Sequence, residues 1–285
     1  MVRLAANAFL PVYFRMFQGI KYNCLKTCTK TEGRIILSLT SFPNRINRLW
    51  LVIETLLRQT QQSDKIVLWL SEDQFPNLAN LPKKLLRLQK NGLEIRHCPG
   101  DLGSHKKYYY AFQEFPEDII ITVDDDVFYN SKLIEYLVEL NKKFPKCVCC
   151  NRCSEIKVTD NHIQPYISWN DYLIAECPSY KLLAIGVGGI LYPPNISSSM
   201  LFDSETIINC CYTADDIWLN VMSKLAKTMV VKSNYNSFYL PVMNYRNFTL
   251  TSTNVYEGLN DRQLASARKY CIENLGIDPF QQIIT

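Results

Sequence analysis

The chain has 285 residues and no run of 18 uncharged apolar ones, so no helix built from it is expected to span a bilayer. It shows no internal repeat and no low-complexity tract, which speaks against a solenoid or an extended disordered array. No clear signal-peptide cleavage site follows the N-terminus. Residues 1–31 contain no acid at all. The eleven cysteines are odd in number, and no second spaced pair completes a zinc set for Cys147, Cys149, Cys150 and Cys153. Small buried thiols in a reducing cytosol are the expectation for them.

What is present is an ordinary globular composition, with 47% apolar and 20% charged residues. Net charge is +4, yet Arg3, Arg15, Lys21, Lys26 and Lys30 alone supply five positive charges, so residues 32–285 sum to −1. A basic excess confined to one segment argues against a broad nucleic-acid footprint and for a surface tail. Residues 1–30 read as a basic amphipathic segment ahead of one domain at 31–285. Phe9, Val12, Tyr13, Met16, Phe17 and Ile20 recur at helical spacing, with Arg3, Asn7, Arg15 and Gln18 on the other side. Pro11 suits a helix's first turn. Residues 4–21 thus fit a helix on an anionic membrane surface, or a helix packed on the domain or in an oligomer.

From residue 34 to 144, strand and helix patterns alternate. Arg34–Leu39, Lys65–Leu70, Leu93–His97 and Ile119–Val123 are β-rich apolar runs. Between them lie helix patterns: Asn47 capping Leu49, Ile53, Leu56 and Leu57; Pro82 opening Leu85–Leu88; and Ser104 capping a helix through Phe112. A further helix follows Asn130 or Ser131. This predicts an α/β fold with a largely parallel sheet and helices on both faces. Ligands bind such sheets beyond the carboxyl ends of the strands. Thr40-Ser41, Glu72-Asp73 and Asp124-Asp125-Asp126 should therefore face one crevice. Beyond residue 145 the pattern loosens. A short strand at Lys146–Cys150 and helices near 214–226 and 260–275 are the clearest elements there.

Three consecutive carboxylates at a strand's mouth repel each other unless a cation lies among them. A hard divalent ion, its shell completed by phosphates, suits those oxygens; a solvated acidic turn capping the next helix is the plainer reading. Arg45 is placed to pair with phosphate or stack on a base, or to sit on the surface of a helix-entry turn. The stretch Gly103-Ser104-His105-Lys106-Lys107 puts bases near a helix start, where phosphate binds. Thr213 and Asp216 have the spacing of a capping box. Gly186-Val187-Gly188-Gly189 permits a close approach to a ligand or a tight turn. Trp169 and Trp218 would stack on a sugar or pack in the core.

Taken in order, Thr40–Arg45, Ile119–Asp126 and Thr213–Trp218 resemble the GT-A fold glycosyltransferases, above all the bacterial family-2-like and fringe-like branches, over roughly residues 33–275. The resemblance implies a nucleotide-sugar-binding Rossmann-like sheet. It implies Mn2+ or Mg2+ held directly by Asp126, with Asp124 contacting ribose or the metal through water and Asp125 near donor sugar or ribose. Thr40, Ser41 and Arg45 would hold the nucleoside, and Lys106 the diphosphate. Gly188 and Gly189 would line the sugar and acceptor pocket. Asp216, or failing it Asp215, would remove the acceptor proton in an inverting transfer. Many relatives add a late histidine ligand, but none of His97, His105 and His162 stands there; Asn244 or water would take that place. The implied donor is a UDP-sugar and the acceptor a glycan or lipid-linked molecule in cell-surface polysaccharide synthesis. The implied location is cytoplasmic, peripheral on a membrane. A haloacid-dehalogenase-like phosphatase also places D-x-D after an apolar strand, although Phe128 stands where that motif wants threonine or valine. A non-catalytic glycan-binding protein of the same fold is the third reading.

Overall fold

The computed structural model describes residues 2–18, 33–196, 200–235, 240–243, 254–255 and 257–284. The helices are α1 (Val2–Met16), α2 (Ile46–Leu56), α3 (Lys83–Arg87), α4 (Lys106–Glu114), α5 (Leu133–Lys143), α6 (Ser204–Cys211), α7 (Asp215–Leu225), α8 (Leu259–Leu275) and α9 (Gln281–Ile284). The strands are β1 (Ile35–Thr40), β2 (Lys65–Ser71), β3 (Leu93–Cys98), β4 (Ile119–Thr122), β5 (Val127–Phe128), β6 (Val148–Cys150) and β7 (Cys153–Glu155). They continue with β8 (Val158–Thr159), β9 (His162–Ile163), β10 (Asn170–Asp171), β11 (Leu182–Ala184), β12 (Ile190–Tyr192), β13 (Val230–Lys232) and β14 (Leu240–Pro241).

Seven strands form the central sheet in the order β13-β6-β12-β4-β1-β2-β3. All neighbours run parallel except β12, which lies antiparallel to both β4 and β6. Alternate residues of each strand feed opposite cores. Ile35, Leu37 and Leu39 pack under α2 and α5, whereas Ile36 packs with Tyr108 of α4 and Trp218 of α7. Both faces are covered, which explains the continuous apolar runs of β1, β2 and β4. The alternation predicted for residues 34–144 is therefore present, but its caps differ: Arg45, His105 and Lys132 precede α2, α4 and α5 where Asn47, Ser104 and Asn130 or Ser131 were expected, and none makes a side-chain cap bond.

Other local expectations are corrected too. Pro11 lies inside α1 and not in its first turn, because the helix already begins at Val2. The capping box of Thr213 with Asp216 does not form. Ala214 is the cap residue and makes no side-chain cap bond. Thr213 instead donates its N–H to Gln263 Oε1 and its hydroxyl to Asn254 Oδ1, tying the start of α7 to α8 and its approach. The predicted ligand alternative Asn244 lies outside the described residues.

Candidate active site

β1 and β4 are parallel neighbours, so Ser41 and Asp124–Asp126 emerge at one edge of the sheet. β12 runs the opposite way beside β4, with Ile190 facing Thr122. Its lead-in, Gly186–Gly189, is therefore delivered to that same edge. α7 then brings its N-terminus, and with it Asp215 and Asp216, to the site. The positive end of the helix dipole favours carboxylates there.

Asp125 is fully engaged by the nucleotide-loop candidates. Ser41 Oγ donates to its Oδ2 at 2.6 Å, and Arg45 Nη1 to its Oδ1 at 2.5 Å. Arg45 also lies 3.0 Å from Asp126 Oδ2 and stacks its guanidinium 5.1 Å from the Phe42 ring centre. Burial pulls the guanidinium's pKa down, but Asp125 and Asp126 hold it above its ordinary value. Asp126 remains undercompensated: burial, opposed by Arg45 and reinforced by Asp124 and Asp125, pushes its carboxyl up to about 6. Thr40 is turned toward the sheet, its hydroxyl donating to Trp69 O at 2.9 Å.

The lysine that enters this cluster is Lys107. Its Nζ sits 2.8 Å from Asp124 Oδ1 and 2.8 Å from Asp215 Oδ2. Burial would lower its pKa, but Asp124 and Asp215 hold it well above the usual lysine value. Lys106, expected here from the sequence, points elsewhere and pairs with Asp101. A buried chain sets the choice: Trp69 Nε1 donates to Ser38 Oγ at 2.9 Å, and Ser38 Oγ donates to the carbonyl of Lys107. Beneath it His105 is buried and structural. Its Nε2–H donates to Cys211 O, Nδ1 accepts from the Tyr108 hydroxyl, and burial drives its pKa down to about 4.

Asp215 and Asp216 are adjacent and buried, yet unlike. Burial pushes the Asp215 carboxyl up, but Lys107 and then His105 hold it below the ordinary carboxylate value. Burial and the charge of Asp215 push Asp216 up to about 8. Asp216 Oδ2 accepts the Gly186 N–H at 2.9 Å, while its Oδ1 is buried without a hydrogen-bond partner among the described residues.

Gly186, not singled out within its glycine run by sequence, is the glycine at the centre of the site. A Cβ there would lie 3.0 Å from Asp216 Oδ1, 3.3 Å from Lys107 Nζ and 3.4 Å from Asp124 Oδ1. Gly188 and Gly189 are closely packed. A Cβ on Gly188 would meet the Arg152 backbone at 2.9 Å, and one on Gly189 (φ +79°) would meet Leu133. Trp169 donates its indole N–H to Gln164 O, and Trp218 is wholly buried; both belong to the core. Glu72 and Asp73 are exposed.

Among the described residues, no three His, Cys, Asp or Glu side chains are grouped as a ready metal cage. The oxygen donors nonetheless fit a hard cation held by few protein ligands, because Asp126 is one-third exposed (34%) and burdened by like charges. Asp126 with Asp124 would hold such an ion, the remaining positions falling to phosphate and water.

Residues 40–192 match the family model of glycosyl transferase family 2. Among solved structures, the chain is similar to the mannosyltransferase PcManGT from Pyrobaculum calidifontis in complex with GDP-Man and Mn2+, at 12% identity over 99% of this chain and 78% of that one, with a TM-score of 0.53. S. aureus TarS 1-349 in complex with UDP-GlcNAc matches at 11% identity over 88% of this chain and 73% of that one, TM-score 0.47. The inositol-1-phosphate CTP transferase from T. maritima matches at 10% identity over 85% and 98%, TM-score 0.46. No curated protein matches the sequence. The first of these likenesses supports the fold alone, whereas the family match covers more than half of the chain and carries the aspartate strand, the basic helix start and the glycine run together. The chain thus belongs to glycosyl transferase family 2: it is a glycosyltransferase of GT-A fold.

Proposed function

We propose that the protein transfers a sugar from a nucleoside diphosphate donor, a UDP-sugar, to a hydroxyl of a glycan or lipid-linked acceptor, with inversion. The observation that carries this reading is the meeting of two carboxylate groups from distant segments around Lys107 and Gly186. Donor-side Asp124 and acceptor-side Asp215 share one ammonium, each at 2.8 Å. Ser41 and Arg45 orient Asp125 for the nucleoside side. Among the described residues, Arg45 and Lys107 are cations placed to face a departing diphosphate. A divalent ion at Asp126 and Asp124, manganese or magnesium, would add Lewis-acid stabilisation of that leaving group.

Asp216 is the proton acceptor. Its Oδ2 is anchored by the Gly186 N–H, which leaves Oδ1 unpartnered among the described residues and directed at space a Cβ would fill. Its raised pKa makes it a stronger base than an ordinary carboxylate once ionised. Direct displacement by one base gives inversion. The setting that fits is cell-surface polysaccharide synthesis on the cytoplasmic face of a membrane. Since the chain is a glycosyltransferase, the phosphatase and non-catalytic readings have no remaining support.

Isothermal titration of UDP with and without manganese tests the donor reading, and a screen of nucleotide-sugar hydrolysis identifies the sugar. Metal-enhanced UDP binding that is lost in Asp126→Ala is the expected result. Absence of binding under either condition, or hydrolysis unchanged in excess chelator, would overturn the donor or the metal assignment respectively.

A further inference from the structure

α1 is fastened to the domain by one face. Phe14 is buried in the core beneath α2, with Leu10 and Tyr13 packed beside it. Asn7 Nδ2 donates to Pro241 O at 3.0 Å, and its Oδ1 accepts the Met243 N–H at 2.7 Å. Gln18 donates to Lys84 O, Arg58 donates to Phe17 O, and the Arg58 guanidinium lies 4.8 Å from the centre of the Phe14 ring.

The opposite face is apolar and open. Val2, Ala5, Phe9, Val12 and Met16 follow one another at steps of three and four, so they form one stripe. Phe9 and Met16 are 65% and 72% exposed. Isolated exposed apolar residues need no explanation, but a continuous helical stripe marks an interaction surface.

The charge around that stripe selects the partner. Arg3 and Arg15 spring from the other side of α1, but both are exposed and form no ion pair among the described residues, so their long side chains can reach round the helix to a headgroup layer. Lys84 of α3 lies near enough to Arg15 that burial and then that like charge lower its pKa. Lys83 and Arg87 of the same helix are exposed. No acid occurs in residues 1–31. A second copy of this surface would set like charges against each other. A sheet of anionic headgroups over an apolar interior satisfies both the bases and the stripe.

We propose that the outer stripe of α1, with Arg3, Arg15 and Lys84, is a docking surface for an anionic lipid bilayer. The Asn7 clamp gives this surface a fixed relation to the active site. It grips Pro241 and Met243 on either side of Val242, and the Val242 N–H donates to Asp126 O at 2.7 Å. β14 also pairs with β5, directly after the aspartates. The bilayer therefore lies beside the donor-site strand, where a lipid-linked acceptor would be presented; that consequence rests on the glycosyl-transfer reading, whereas the docking does not.

Co-sedimentation of the full chain with vesicles of phosphatidylcholine, alone or mixed with phosphatidylglycerol, tests the proposal. The wild type should partition at least about tenfold more strongly onto the anionic vesicles. Phe9→Ser/Val12→Ser/Met16→Ser should lose binding to both, and Arg3→Glu/Arg15→Glu should lose the anionic preference. Donor hydrolysis in free solution should be the same in all three proteins, which establishes that the variants fold. Equal binding by wild type and the triple variant, no binding to anionic vesicles, or light scattering that shows a dimer dissolved by the triple variant would each overturn the docking surface. Vesicle binding without any donor hydrolysis would instead overturn the function and leave the docking surface standing.

Discussion

The carboxylates at the end of β4 and those at the start of α7 serve the same crevice on opposite terms. At the strand end each aspartate has a basic partner: Asp124 has Lys107, Asp125 has Arg45 and Ser41, and Asp126 shares Arg45. At the helix start the compensation is uneven. Asp215 takes the ammonium of Lys107 directly, whereas among the described residues Asp216 accepts a hydrogen bond only from the Gly186 N–H and feels Lys107 at a greater remove. Asp124 and Asp125 are thus fixed by direct basic partners, whereas burial and its acidic neighbours push the Asp126 carboxyl up to about 6 in spite of Arg45. Asp216 is pushed further, to about 8, and so retains the greater proton affinity, as the proposed base must. On the proposed reading, burial and local charge thus set the donor-side carboxylates apart from the base.

The contrast breaks most completely at Asp216. Asp216→Asn keeps an oxygen for the Gly186 N–H but removes the basic oxygen. Transfer should fall by about 10²–10⁴-fold with donor binding nearly unchanged, as measured by kcat against the Kd for UDP. In the wild type, kcat/KM should climb as the pH rises toward about 8, where the free carboxyl ionises. The same group has a signature in folding. The folded state holds this proton more tightly than the unfolded chain, so its contribution is greatest below the ordinary value of 3.8 and is lost as the pH rises toward about 8. Urea denaturation across that window should show a flatter pH profile in Asp216→Asn.

Lys107 joins the two groups, so its loss should disturb both. Lys107→Met strands Asp124 and Asp215 without their shared cation in a buried site, which should cost about 3–5 kcal/mol of stability by denaturant titration. Adding Asp215→Asn should recover part of that loss. Full recovery would mean that Asp124 does not depend on the lysine.

Gly186→Ala probes the space between the groups without altering charge. Its Cβ would come within 3.0 Å of Asp216 Oδ1 and 3.3 Å of Lys107 Nζ. Displacing either should lower kcat by about tenfold. Gly188→Ala, which meets Arg152 backbone, should appear as lost stability instead.

The strand-end group was legible because it follows from local pattern. A β-branched apolar run ending in three acids, preceded by regular strand–helix units, places itself at the carboxyl edge of a parallel sheet. Asp215 and Asp216 were legible for a similar reason, as acids opening a clear helix. What the sequence left undetermined was which neighbour faces inward. Lys106 and Lys107 are adjacent on a helix start, about 100° apart around its axis, and what tells them apart includes partners distant in sequence: Ser38, itself bonded by Trp69, at the Lys107 carbonyl, and Asp124 and Asp215 at its ammonium. Gly186, Gly188 and Gly189 are alike in composition. Their roles diverge because β12 enters the sheet antiparallel, a long-range pairing that its three residues do not advertise. Thr213 likewise has the spacing of a cap, but its partners Gln263 and Asn254 come from roughly 40–50 residues later, and no local rule can see them.

The adjacent lysines give the finest version of the comparison. Both are buried and both pair with an aspartate, so composition, burial and charge are matched between them. They differ in the partner's place: Asp101 lies in the turn before α4, and Asp124 lies at the end of β4. Lys106→Met removes a charged hydrogen bond from that turn and should cost about 1.5–3 kcal/mol of stability. It leaves both carboxylate groups of the crevice with their own partners, so kcat and the Kd for UDP should stay within about twofold of the wild type, as expected for sites without shared partners. If Lys106→Met instead weakened UDP binding as strongly as Lys107→Met, the turn before α4 would have to reach the diphosphate. The donor site would then extend to Asp101, and the proposed division between the strand-end and helix-start carboxylates would no longer account for how the donor is held.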